Sequence, residues 1–219
     1  MISFETVKND PDVRNYITAA DQSLATLGYT EHSFPHVTRV SEVAADLLTS
    51  LGYSNGEVEL ARISGFLHDI GNLINRQDHS QSGAVMAFRI LDKMGMESKE
   101  IAAVVTAIGN HDEGSGVAVN PIAAALILAD KSDVRRSRVR NTDPSTFDIH
   151  DRVNYSVQSS ELRLSSDKKL LFLDLTVDSS ISSVMDYFEI FLGRMIMCRK
   201  AAQALGLVFA LTINGQRLL

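Results

Sequence analysis

The sequence predicts a mainly helical domain followed by a small α+β appendage, and three observations lead to this fold class. Apolar residues recur at intervals of three and four through residues 1 to about 135, as on the buried face of a helix. After residue 141 come two strand-like apolar runs. A long helical run and a last strand-like run complete the chain. We therefore predict a helical domain over residues 1–140 and a β-β-α-β appendage over residues 141–219.

Helices in the first part are recognised by their spacing and by the residues at their ends. The predicted helices cover residues 11–27, 34–51, 55–70, 80–94, 98–110 and 121–134. Residues suited to an N-cap begin four of them: Asp10, Asn55, Ser98 and Asn120. Pro121 takes the first helical position, which proline favours, and Gly52 follows the second predicted helix.

The appendage combines strand and helix patterns. We predict strands over residues 153–164 and 169–177 with a turn at residues 165–167 between them. A helix over residues 182–205 and a strand over residues 207–213 follow, and Asn214 and Gly215 end that strand. This order predicts a three-stranded sheet with one long helix.

Composition narrows the class of protein. The 219 residues are 45% hydrophobic, which is enough for a substantial core. A net charge of -6 argues against a nucleic-acid partner, since such proteins usually carry a basic surplus. The single cysteine excludes a disulfide or a cysteine-based zinc site within one chain. With no signal-peptide pattern and no apolar run of membrane-spanning length, we expect a cytoplasmic protein without a membrane partner.

Imidazole and carboxylate side chains occur at or beside the ends of several predicted helices, and one further carboxylate lies inside the last of them. The set comprises His36, His68, Asp69, His79, His111 and Asp130. Asp130 follows the apolar run 122–129, so its carboxylate should be buried and should need a cation, a metal or several hydrogen bonds. His68 and Asp69 likewise adjoin apolar core positions. Side chains of these types projecting into a helical bundle are the usual way such a fold builds a metal site.

The order of these residues and their flanking segments resemble the HD-domain superfamily of metal-dependent phosphohydrolases. The matching segments are residues 66–71 (FLHDIG), 79–84 (HSQSGA) and 128–133 (LADKSD), and the resemblance covers about residues 30–140. It implies an HD-type helical bundle in which His36, His68, Asp69 and Asp130 hold one metal. His79 and His111 would complete a second site, with Asp69 bridging the two. The implied cofactors are two divalent metal ions, with iron or manganese favoured.

Some features depart from one branch of that superfamily. Cyclic-dinucleotide phosphodiesterases with a GYP signature follow the HDIG segment with lysine, whereas Asn72 stands here. They also tend to carry paired histidines where this chain has Asn110 and His111, and Val117 occupies the region of the missing GYP triplet. Bis-nucleoside-tetraphosphate hydrolases are more similar in ligand pattern but lack the β-β-α-β tail.

The ligand set suggests a mechanism. Two metals a few ångströms apart can share a hydroxide and neutralise charge on a phosphoryl group. Asp69 and Lys131 are then the expected catalytic residues. Lys131, Arg135 and Arg136 are expected to bind substrate phosphates, although a solvated basic helix end explains the cluster equally well. We predict a phosphohydrolase that acts on a nucleotide or another small phosphoester.

Two alternatives share the same ligands: an HD-type diiron oxygenase, and a degenerate HD domain that acts as a sensor or scaffold. Outside the ligand set, His32 is expected at the surface and His150 is not expected to bind metal. Asp112 and Glu113 fit a solvated helix end better than a role beside the metals. The tail suits either homodimer formation through an exposed sheet edge or a lid over the site.

Overall fold

The computed structural model describes residues 2–219, and its regular elements begin with a series of helices. These are α1 (Phe4–Asn9), α2 (Pro11–Thr26), α3 (Phe34–Leu51), α4 (Asn55–Leu67), α5 (His79–Lys93), α6 (Ser98–Gly109) and α7 (Pro121–Ser132). The C-terminal part contains α8 (Ile149–Ser156), β1 (Val157–Leu164), β2 (Leu170–Val177), α9 (Val184–Ala204), β3 (Val208–Ile213) and β4 (Gln216–Arg217). The predicted fold class, mainly helical with a β-β-α-β appendage, is confirmed, and β4 adds a short fourth strand.

The position of each helix N-terminus depends on which side chain accepts hydrogen bonds from its first backbone N–H groups. Two of the four predicted N-caps were wrong. Asp10 and Asn120 cap α2 and α7 as expected, because their side chains accept backbone N–H groups of the first turn. Ser54, not Asn55, caps α4, since a capping box with Glu57 satisfies the N–H groups there. Ser98 is already inside α6, which has no side-chain cap.

The structure also adds one helix and moves two predicted boundaries. Helix α1 was not predicted, and α4 ends at Leu67, before a short 3-10 turn at Ile70–Leu73. The strand predicted over residues 153–164 was too long, because its first four residues belong to α8. The Asp148 side chain accepts the Asp151 N–H and starts that helix, so β1 begins only at Val157.

The sheet has the strand order β1-β2-β3-β4. Strands β1 and β2 form an antiparallel pair with Leu162 opposite Leu173. Strand β3 lies parallel to β2, because α9 carries the chain back across the sheet between them. At the outer side of β1, the Arg39 guanidinium donates to the Ser160 carbonyl at 2.7 Å, so α3 covers part of this edge.

Helix α7 is the centre of the molecule. Residues 122–129 are all buried, and α7 packs against α3, α4, α6 and α9. Contacts on all sides explain why residues 122–129 are apolar around the whole circumference of the helix, and polar residues appear only in its last turn. None of the helices within residues 2–219 combines the length and apolar character needed to cross a membrane.

Candidate metal centre

Four buried histidines converge beside the N-terminal end of α3 and the C-terminal end of α7. His36 lies in the first turn of α3, His68 follows α4, His79 begins α5 and His111 follows α6. Each is at most 2% exposed. The sides of these helices pack against one another in the core. The histidines meet where the ends of the helices converge.

Each ring is oriented by a partner at its Nδ1 atom. The His68, His79 and His111 Nδ1 atoms donate to the backbone carbonyls of Gly65, Arg76 and Ile108, at 2.8, 3.0 and 2.6 Å. His36 Nδ1 lies 2.7 Å from Asp133 Oδ2. A carbonyl only accepts, so the Nδ1 proton is fixed and the Nε2 lone pair is left facing inward. This is the tautomer that a metal ligand requires.

Asp69 lies between the two pairs of histidines. Its Oδ2 atom is 3.5 Å from His36 Nε2 and 3.1 Å from His68 Nε2. Its Oδ1 atom is 3.4 Å from His79 Nε2 and 3.9 Å from His111 Nε2. The two oxygens of one carboxylate therefore face different pairs of nitrogens.

Asp130 completes the first pair. Its Oδ1 atom lies 3.4 Å from His36 Nε2 and 3.7 Å from His68 Nε2. The structure thus brings together all six predicted ligand residues. Two triads have ligand atoms within 4.8 Å of one another: His36, His68 and Asp130, and His68, Asp69 and His111. His68 belongs to both triads, whereas the sequence-based division assigned it to the first site alone.

The spacing of the donor atoms fits a divalent cation. Ligands at about 2.1 Å from a metal lie ~3.0–3.4 Å from each other in octahedral or tetrahedral geometry. The inward nitrogens of His36 and His68 are 3.3 Å apart, and those of His79 and His111 are 3.2 Å apart. Two such lone pairs facing each other repel unless a proton or a metal lies between them. The residues present therefore fit a bound metal.

The charges around the site divide the histidines into two kinds. Burial opposes protonation of His36 and His68, but nearby carboxylates outweigh it and raise the pKa of both, that of His68 to about 10. Burial lowers the pKa of His79, and it lowers that of His111 to about 3. A metal must therefore compete with protons at the first pair, while the second pair is neutral at physiological pH.

The carboxylates keep their charge despite burial. Desolvation alone would raise the pKa of Asp69, but His68 and His36 hold it well below the ordinary value. Lys131 does the same for Asp130, whose Oδ2 atom lies 2.7 Å from the lysine Nζ atom. Both carboxylates are thus anionic and available as ligands.

Lys131 belongs to a short chain of charges that reaches the appendage. Its Nζ atom is also 3.8 Å from Glu113 Oε1, which accepts from Arg194 Nε of α9 at 2.6 Å. Glu113 is exposed, as expected, and it also pairs with two cations that line the cavity. Asp112 shows no such ion pair within residues 2–219.

Asn72 connects the Asp69 carboxylate to Arg76. Its side-chain amide nitrogen donates to Asp69 Oδ1 at 3.0 Å, and its Oδ1 atom accepts from Arg76 Nη1 at 3.3 Å. The same Nη1 atom lies 3.4 Å from His79 Nε2. The position at which cyclic-dinucleotide enzymes carry lysine thus contributes an amide that contacts Asp69.

A cavity of about 430 Å³ opens above the six residues. Asp69, His79, His111 and Asp130 form part of its lining. Its cationic lining residues are Arg76, Lys131, Arg138 and Arg194. Helices α8 and α9 contribute further walls, so the appendage borders the same space as the metal-ligand residues.

The structure places two of the predicted phosphate-binding residues elsewhere. Arg135 Nε contacts Asp133 Oδ1 at 2.8 Å, and Arg136 Nε donates to the Tyr155 carbonyl at 2.6 Å. Neither lines the cavity, although Lys131 does. The next arginine, Arg138, turns toward the cavity because its guanidinium donates to the Asp133 carbonyl at 2.8 Å.

Several residues at the site were given another role, or none, by sequence reasoning. His32 and His150 both line the cavity, so His32 is not only a surface residue. Asp133 was quoted in the LADKSD segment without a role, and its contact with His36 spans 97 positions. Arg76 and Arg194 carried no local signal, since only folding brings them to the cavity.

Comparison with known proteins identifies the family. A family model for the HD domain matches residues 34–145. An uncharacterized protein of Methanocaldococcus jannaschii, MJ1020, is 26% identical over 194 residues, covering 78% of this chain and 74% of that protein. The crystal structure of a predicted HD superfamily hydrolase from an uncultured Thermotogales bacterium is similar with a TM-score of 0.44 and 24% identity, over 57% of this chain and 67% of that one. Since the family match covers more than half of the 219 residues, the predicted resemblance is confirmed, and the chain belongs to the HD domain family.

Proposed function

We propose that this protein is a metal-dependent phosphohydrolase that acts on a nucleotide or another small phosphoester through a dinuclear metal centre. The observation that carries the proposal is the division of Asp69, whose Oδ2 faces His36 and His68 while its Oδ1 faces His79 and His111. A carboxylate placed in this way is suited to bridge two cations. HD-domain membership supports the same chemistry.

The residues would share the ions as follows. One ion would be held by His36, His68 and Asp130. The other ion would be held by His79 and His111, and Asp69 would contact both ions. Iron or manganese suits this imidazole and carboxylate set. Bound divalent ions of this kind make hydroxide available near neutral pH and neutralise charge on a phosphoryl group.

The protein's own groups supply the remaining functions. The Nδ1 contacts hold each imidazole in place, so the ligand atoms need no rearrangement when a substrate arrives. Lys131, buried and 2.7 Å from Asp130 Oδ2, places a fixed positive charge beside the ligand cluster. Such a charge can stabilise negative charge that develops on a leaving oxygen. The guanidinium and ammonium groups on the cavity lining are suited to contact a small anionic substrate.

Metal content and turnover test this function together. Protein purified without chelator should contain about two metal ions per chain, because its ligand set fits the two-metal arrangement. It should release phosphate from p-nitrophenyl phosphate, bis(p-nitrophenyl) phosphate or a panel of nucleotides. His79→Ala should lose about one ion and Asp69→Ala both. Arg89→Ala, on the exposed side of α5, is the matched control and should change neither value.

Other outcomes would identify a different function. Oxygen consumption with a mixed-valence iron signal, and no phosphate release under anaerobic conditions, would contradict hydrolysis and favour the diiron oxygenase. Protein that contains no metal and cannot be loaded would contradict both enzymes and favour a sensor or scaffold.

A further inference from the structure

The four cations that line the cavity are not equivalent. Three are paired with carboxylates: Lys131 with Asp130, Arg138 with Asp133, and Arg194 with Glu113. Arg76 is the exception, since it forms no ion pair within residues 2–219. No carboxylate in the described part of the chain lies within ion-pairing distance of its guanidinium, and Asp112 feels the positive charge only from farther away.

Arg76 also lies beside one of the expected metal ligands. Its Nη1 atom is 3.4 Å from His79 Nε2, the nitrogen whose lone pair faces the centre. A guanidinium beside a divalent cation is electrostatically unfavourable unless an anion lies against both. The Asn72 amide nevertheless holds Arg76 there, 3.3 Å from its Nη1 atom.

We propose that Arg76 forms an anion subsite that binds a phosphoryl group of the substrate next to the His79 side of the metal centre. The inference rests on the proposed function and names the residue that contacts the phosphate. Guanidinium groups suit this role because their planar N–H groups can bind two phosphoryl oxygens at once. Asn72 is a positioning residue, since its one amide contacts both Arg76 and Asp69 Oδ1.

The assignment differs from the one that sequence proximity suggested. Arg135 and Arg136 contact Asp133 and Tyr155 and do not line the cavity. Arg76 is partly exposed, so an incoming anion can reach it without unfolding any element. Its guanidinium carbon also lies 5.6 Å from the centre of the Tyr29 ring, at the cavity wall.

Binding of inorganic phosphate to the metal-loaded protein, measured by calorimetry, tests the subsite without requiring turnover. Arg76→Ala should weaken phosphate binding about tenfold or more, the size expected for losing a charged hydrogen-bond donor. Arg76→Lys, which keeps the charge but not the fork of donors, should lie between Arg76→Ala and wild type. Arg89→Ala should bind phosphate like wild type, and all variants should contain the same amount of metal.

Three results would overturn the subsite: phosphate affinity of Arg76→Ala within about twofold of wild type, loss of metal in that variant, or no phosphate binding by the wild-type protein. A tenfold loss in Arg76→Ala together with wild-type protein that hydrolyses no phosphoester has a separate meaning. It would support the anion subsite and contradict the proposed hydrolysis.

Discussion

At the scale of single residues, the inward-facing histidines differ in what orients them. Three donate from Nδ1 to a backbone carbonyl one turn earlier, as His68 does to Gly65. His36 instead contacts the Asp133 carboxylate, which is 1% exposed. A carboxylate partner raises the basicity of a ligating imidazole more than a carbonyl does. Among the predicted ligands, His36 is therefore the one whose affinity for metal should depend most on a second side chain.

Asp133→Asn should weaken metal binding about 10- to 100-fold, because the charge behind His36 is removed. It should also lower the free energy of unfolding by about 3 kcal/mol, because the buried Arg138 loses its carboxylate partner. Metal titration and chemical denaturation measure the two effects. Asp92→Asn, exposed on α5, is the control and should change neither. Unchanged metal affinity in Asp133→Asn would show that this contact does not tune the ligand.

Metal binding should release protons and strengthen with pH. A metal and a proton compete for His68 Nε2, because burial is outweighed by the adjacent carboxylates and the pKa of His68 is about 10. Affinity should therefore rise as pH increases toward that value and fall as pH decreases. Calorimetry at pH 8 in two buffers of different ionisation enthalpy should show release of about one proton or more per chain. Equal heats in both buffers would contradict proton release.

At the scale of elements, the close approach of two helix ends sets the position of His79. The 3-10 turn after His68 passes directly over the first turn of α5. A Cβ atom added to Gly71 would lie 1.9 Å from the His79 carbonyl oxygen and 2.4 Å from the Gly83 nitrogen. Both are backbone atoms, so no side-chain rotation can relieve the contact. The glycine of the HDIG segment is required by this packing.

Gly71→Ala should move α5 away from the turn and separate His79 from Asp69. We expect a loss of about 1–3 kcal/mol in the free energy of unfolding, as for overpacked cores, together with reduced metal content. Thermal denaturation and elemental analysis measure both. Gly114→Ala is the control, because a Cβ atom there meets nothing within 4 Å. Equal behaviour of the two variants would show that the backbone contact is not limiting.

At the scale of the whole molecule, the C-terminal residues share the core and border the site. Helix α9 packs on α7, and Phe191 of α9 is buried and lines the cavity beside Arg194. The division into domains at residue 140 stays a prediction, as does the homodimer. The contact between Arg39 and the Ser160 carbonyl leaves less of the β1 edge open to a second chain.

Neighbouring residues on α9 test how firmly this helix is attached. Phe191→Ala should lower the free energy of unfolding by about 3–5 kcal/mol, because the ring is 1% exposed and its removal leaves a cavity. Leu192→Ala, at a side chain that is 52% exposed, should change it by less than about 0.5 kcal/mol. Chemical denaturation of both variants measures the difference. Small effects in both would mean that α9 contributes little to the core.

Structural features caused by interactions between residues close in the sequence could be predicted, whereas those caused by contacts between distant residues could not. Helices such as α3 and α7 have local causes in apolar spacing, capping residues and proline, so their positions could be predicted closely. The strand predicted from residue 153 failed because the cap at Asp148 favours four more helical residues over a strand. Side-chain contacts between segments that are distant in the sequence have no comparable local pattern from which they could be predicted.

The sequence by itself determined a helical domain with an α+β tail and the six residues that converge in the candidate metal centre. Those residues could be recognised because they stand at or near helix ends in a distinctive order and context. Only the tertiary structure decided which cations face the centre. Arg135 and Arg136 are near Asp130 in sequence but turn toward Asp133 and Tyr155, while Arg76 and Arg194 arrive from other elements. The physical reason is that a side chain's direction follows the packing of its element and the partners it finds in space, not its distance along the chain.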